Sequence, residues 1–175
     1  MKTTSSMKTT KKVALCGVFA ALALTFLYLG GLTVLDMTVL AVCALMTMIL
    51  VIEAGTKMAW IYAAVTAVLA LLLLPNKIYA IEYICFSALY PVAKLYFERM
   101  RTLFAWFVKI SFLDILLLLC VVLAQHVFLL GDEYFALNWV TLVLGTVFFV
   151  LFDCALTVCV TFYIVKLRKR LGIGK

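Results

Sequence analysis

The chain has 175 residues, is 68% hydrophobic and only 13% charged, and has a mean hydropathy of +1.24. Soluble domains run about 45–50% apolar and about 25% charged, so this composition excludes a soluble globular domain and a disordered chain alike; two prolines and eight glycines exclude a collagen-like or linker-rich one. In such a chain the net charge of +7 reads as the cytoplasmic excess of Lys and Arg that orients membrane helices, with no nucleic-acid partner implied.

A bilayer core takes about 20 apolar residues per helix. Residues 13–35 carry no charge and form the first predicted span. Residues 37–52, bounded by Asp36 and Glu53, form the second, and residues 58–76 the third. The fourth, 78–97, contains Glu82, Pro91 and Lys94, and has a re-entrant or interfacial segment as its alternative. The fifth lies within 103–130 and carries Lys109 and Asp114; the sixth, 138–165, holds Asp153. The apolar runs are continuous, whereas membrane β-barrels need alternating segments, so the spans read as helices. Gly30-Gly31, Ala54-Gly55-Thr56, Leu74-Pro75-Asn76 and Gly131-Asp132 punctuate their boundaries. The expected fold is an all-α, six-transmembrane-helix bundle with short loops: a basic tail at 1–12, a membrane domain at 13–165 and a basic tail at 166–175.

The charges orient it. Lys2, Lys8, Lys11, Lys12, Lys57, Lys94, Arg99, Arg101, Lys109, Lys166, Arg168, Lys169, Arg170 and Lys175 fall on one side of this arrangement, and Lys77 on the other. The positive-inside rule then puts both termini in the cytoplasm of a multi-pass protein, expected in a bacterial plasma membrane. The first span is longer than a secretory h-region of about 7–15 residues and is expected to be retained.

Chemistry-bearing residues are few. The cysteines (Cys16, Cys43, Cys85, Cys120, Cys154, Cys159) lie within predicted spans with no Cys-x-x-Cys pair, and read as small packing residues. His126, the single histidine, cannot build a metal site alone. Asp114 and Asp153 lack the glycine-flanked turns of intramembrane aspartyl proteases, His126 has no Gly-x-Ser-x-Gly partner, and no paired His/Glu motif or phosphate-binding glycine loop occurs. The expectation is a protein that is not an enzyme and has neither metal nor cofactor.

Charges in hydrocarbon are costly and need partners. Glu53 with Lys57, and Lys94 with Glu98, have i,i+4 spacing. Lys109 is expected to snorkel to the inner surface, and Asp114 to pair with Lys109 or Lys94. Asp153 precedes Lys166 by thirteen residues, about 20 Å along a helix, so it lies near the midplane; a packing hydrogen bond and a ligand or proton role both remain open. Towards the outer face, Asp36, Glu82, Tyr83, His126, Glu133 and Asn138 outline a candidate ligand cup, with Glu82 foremost and Lys77 its rival partner. On the first span Gly17, Ala20 and Ala21 form a candidate partner-docking face, because small residues let membrane helices approach closely.

The opening Lys11-Lys12-Val13-Ala14-Leu15-Cys16-Gly17-Val18-Phe19-Ala20-Ala21-Leu22-Ala23-Leu24, together with the size, short loops and acidic outer face, resembles the substrate-binding S components of energy-coupling factor (ECF) transporters. The resemblance implies a subunit that binds a vitamin or other micronutrient from outside and docks on a separate membrane protein with two ATPases. It also implies a docking pattern of the Ala-x-x-x-Ala kind, at whose place Gly17-x-x-x-Ala21 stands. The alternative is a non-catalytic scaffold of the cell envelope, similar in outline to rod-shape accessory membrane proteins and acting through helix–helix contacts.

Overall fold

A computed structural model describes residues 9–33, 35–97, 106–112, 114–116, 118–119 and 139–167, all helical apart from short turns. Helix α1 is Thr9–Gly30, α2 Asp36–Ala54, α3 Thr56–Leu73 and α4 Lys77–Phe97. Helical residues 106–112, 114–116 and 118–119 are labelled α5. Helix α6 is Trp139–Phe162, continued by a π-helical turn over Tyr163–Leu167. Among the described residues five helices are long and apolar enough to cross a membrane: α1 to α4, and α6 over Val143–Lys166. The chain is thus an all-helical, multi-pass membrane protein. Most of the predicted fifth span lies outside the described residues. Helix α1 takes in Thr9–Lys12.

Each boundary has a local cause. Helix α1 stops at Gly30, where Gly31 N–H donates to Leu27 O at 2.9 Å and Thr33 Oγ1 to Gly30 O at 3.1 Å. Helix α2 ends before Gly55, whose φ of +93° is open to glycine and strained for other residues. That break puts Glu53 and Lys57 on different helices, so the expected pairing along one helix face does not form: Glu53 is buried and accepts from Tyr163 Oη at 3.3 Å, while Lys57 is exposed. Pro75 forces Leu74 into an extended conformation and ends α3. Asn76 then caps α4, its Oδ1 accepting from the N–H groups of Ile78 (3.0 Å) and Tyr79 (3.3 Å).

Helix α4 is continuous over 21 residues and long and apolar enough to cross a membrane. It accommodates Pro91 by widening: residues Tyr83–Leu89 are π-helical, and Tyr90 N–H reaches back five residues to Cys85 O. Proline clashes with the carbonyl four residues earlier and gives no N–H to that turn; a π-turn just upstream absorbs the mismatch.

The chain divides into two compact units, residues 1–92 with 155–175, and residues 93–154. In the first, α1 packs on α2 and α3, α2 packs on α3, and both pack on the π-turn of α4. Its core is Ala23 and Leu27 from α1, Leu40 and Cys43 from α2, Ala63 and Ala70 from α3, then Leu74, Tyr79, Ala80, Tyr83 and Ala88. The many alanines fit lipid-embedded packing, where close backbone approach and dispersion replace the hydrophobic effect. In the second unit Phe97 and Phe112 meet edge to face at 5.3 Å.

Candidate functional site

Polar side chains gather where α1 ends and α2 begins. Gly30 there gives Tyr79 room to lie flat: a Cβ on Gly30 would come 2.8 Å from Tyr79 Oη and 2.9 Å from Val39 Cγ2. Tyr79, 2% exposed, donates its hydroxyl to Asp36 O at 3.3 Å, tying α4 to the first turn of α2. Asp36 Oδ1 is buried with no hydrogen-bond donor among the described residues. Glu82 is half-buried, and both it and Asp36 lie within electrostatic reach of Tyr79. Lys77 is not Glu82's counter-ion. Its Nζ donates to Leu71 O (2.7 Å) and Leu74 O (2.9 Å), capping the C-terminus of α3 where a cation is favoured. Two neighbouring carboxylates, with the nearest lysine otherwise engaged, suit a cation, a shared proton, or a ligand presenting hydrogen-bond donors.

Of the residues expected in the cup, the structure brings Asp36 and Glu82 together and sends Tyr83 elsewhere. Tyr83 is fully buried and turns into the core beside Tyr62, Thr66 and Cys43, because the α4 face that carries it is the one packed on α2 and α3. His126, Glu133 and Asn138 lie outside the described residues.

A second polar group lies within residues 93–154. Lys94 on α4, Lys109 on α5 and Asp153 on α6 are all buried. Lys94 Nζ makes a short contact with Asp153 Oδ1 and also donates to Asp153 O at 3.0 Å. Lys109 Nζ donates to Asp153 Oδ2 at 2.9 Å and sits 5.5 Å from the Trp106 ring centroid. Lys109 therefore turns inward instead of snorkelling, and both lysines go to Asp153 in place of Asp114, which is exposed on its helix. The sequence signal was present: one carboxylate in the middle of the sixth span needs a cation, and the fourth and fifth spans each carry a lysine.

The proposed docking face divides. Helix α1 turns Ala23, Leu27 and Gly30 inward, and Ala20, half-buried, lies on the same side. Gly17 and Ala21 are exposed, with nothing within 4 Å of a Cβ built on Gly17. Among the described residues, Gly17 and Ala21 take no part in the packing, whereas Ala20 borders it. The five cysteines among the described residues are free.

No family model, curated protein or solved structure matches this chain.

Proposed function

We infer that the chain is a substrate-binding membrane subunit of an ECF-type uptake transporter, taking a small molecule, of the vitamin or micronutrient class, from the outer face and docking on a separate energising module. The observation that carries this reading is the Asp36–Glu82 pair. A scaffold has no use for two adjoining carboxylates at a membrane boundary whose neighbouring lysine is engaged elsewhere, whereas ligand sites combine apolar walls with a few placed polar groups. Six spans with both termini inside give this pair an outward aspect. The uncovered Gly17–Ala21 face supports the docking half of the reading; it also favours the envelope scaffold, the alternative from another class.

Three measurements test the proposal. With single cysteines replacing Lys2 and Glu133 in a cysteine-free background, a membrane-impermeant label is expected to reach the second position from outside and not the first; equal labelling removes the topology. Affinity purification in mild detergent is expected to recover a membrane partner with ATPase subunits, and Gly17→Leu to abolish that recovery while leaving insertion intact. Calorimetric titration against a panel of vitamins is expected to show Glu82→Gln weakening the bound member by roughly 1.5–3 kcal/mol, the scale of a charged hydrogen bond. Unchanged affinity takes Glu82 out of the site.

A further inference from the structure

Deeper in the first unit, three consecutive helices each contribute two buried polar side chains four residues apart: Cys43 and Thr47 from α2, Tyr62 and Thr66 from α3, Tyr83 and Ser87 from α4. The four smaller ones spend their hydrogens on backbone carbonyls. Thr47 Oγ1 donates to Cys43 O (3.0 Å), Thr66 Oγ1 to Tyr62 O (2.9 Å), Ser87 Oγ to Leu40 O (2.8 Å), and Cys43 Sγ, at 3.9 Å, to Ala23 O. The threonine oxygens keep lone pairs free to accept. The two phenols differ. Tyr62 is 2% exposed and Tyr83 fully buried; they interact with each other, the first also with Thr47 and the second with Thr66, yet among the described residues neither hydroxyl closes a hydrogen bond of good geometry.

A buried hydroxyl with no partner is destabilising, and lipid supplies none. Two such donors side by side point to a shared acceptor. The position on α4 adds to this. Tyr83 opens the π-turn and Ser87 lies within it, so the widened segment of α4 carries the phenol together with a hydroxyl that ties it to α2. A bound water needs two to four polar partners, and Tyr62 Oη, Tyr83 Oη, Thr47 Oγ1 and Thr66 Oγ1 provide them. We propose that the π-turn of α4 builds an internal water site in the membrane interior, with the Tyr62 and Tyr83 hydroxyls as donors to the bound water and the Thr47 and Thr66 hydroxyl oxygens as its acceptors. This site is separate from the Asp36–Glu82 pair and stands whether or not that pair binds a ligand.

Two readouts test it on the full-length protein in detergent. X-ray hydroxyl-radical labelling generates radicals from water at its bound position, so Tyr62 and Tyr83 are expected to be modified despite their burial. In ¹⁸O-labelled water the isotope is expected to appear there more slowly than at exposed Tyr96. The Tyr62→Phe and Tyr83→Phe variants separate the water from simple orphan hydroxyls through the sign of their effect. Each is expected to lower the unfolding midpoint by roughly 2–6 °C, with the double variant falling less than the two single shifts together, since the second change acts on a site already broken. Unmodified Tyr62 and Tyr83, or midpoints that rise additively as each phenol is removed, would overturn the site.

Discussion

Asp153→Leu is expected to destabilise the protein by about 3–5 kcal/mol, because it leaves the ammonium groups of Lys94 and Lys109 buried without the carboxylate that both contact. In detergent this appears as a steep fall in recoverable folded protein and in the SDS fraction needed to unfold it. Asp153→Asn tests charge against shape: the amide keeps the volume and one acceptor but withdraws the negative charge, and is expected to fall nearly as far. The decisive variant is the triple replacement of Asp153 by Leu with Lys94 and Lys109 by Met. Replacing a whole buried ionic group by apolar side chains of similar size is often neutral or stabilising, so the triple variant is expected to recover most of what the single one loses. If the single variant is as stable as the parent, Asp153 does not hold these helices together.

Gly30→Ala is the second large effect. The added carbon meets Tyr79 Oη at 2.8 Å and Val39 on its other side, and overpacking of this kind costs about 1–3 kcal/mol. It also pushes Tyr79 away from the Asp36 carbonyl. Combining Gly30→Ala with Tyr79→Phe removes the atom in closest conflict, so the pair is expected to cost less than the separate changes summed. Gly17→Ala is the control. Its Cβ enters open space, so the fold is expected to be unaffected or, through helix propensity, stabilised by up to about 1 kcal/mol. Equal losses at the two glycines would contradict the packing of α1.

Helix existence was legible in the sequence because apolar run length is a property of single segments, and Gly30-Gly31, Gly55 and Pro75 act locally. What periodicity could not carry was facing. Gly17, Ala20 and Ala21 look alike in composition, yet one helical turn separates exposed Gly17 from the inward-facing side that begins near Ala20. Tyr83 follows Glu82 directly and leaves on another side of α4, so proximity along the chain misassigned it. Asp114 is the carboxylate nearer to Lys109 in sequence, and spacing alone pairs it with Lys109 or Lys94; the choice of Asp153 depends on tertiary packing, which places α6 against both lysines and leaves Asp114 exposed. Lys77 was weighed as a counter-ion because the carbonyls that end α3 are invisible in a sequence of side chains.

The Tyr163–Glu53 hydrogen bond joins residues 110 positions apart. A ribosome adding roughly 5–20 residues per second needs several seconds to make that stretch, so the second helix is in the membrane well before the tyrosine that will meet its carboxylate exists. Glu53 is therefore made well before the tyrosine that donates to it. This contact closes only once α6 has been made. A chain truncated after α4 carries that carboxylate without the tyrosine that donates to it.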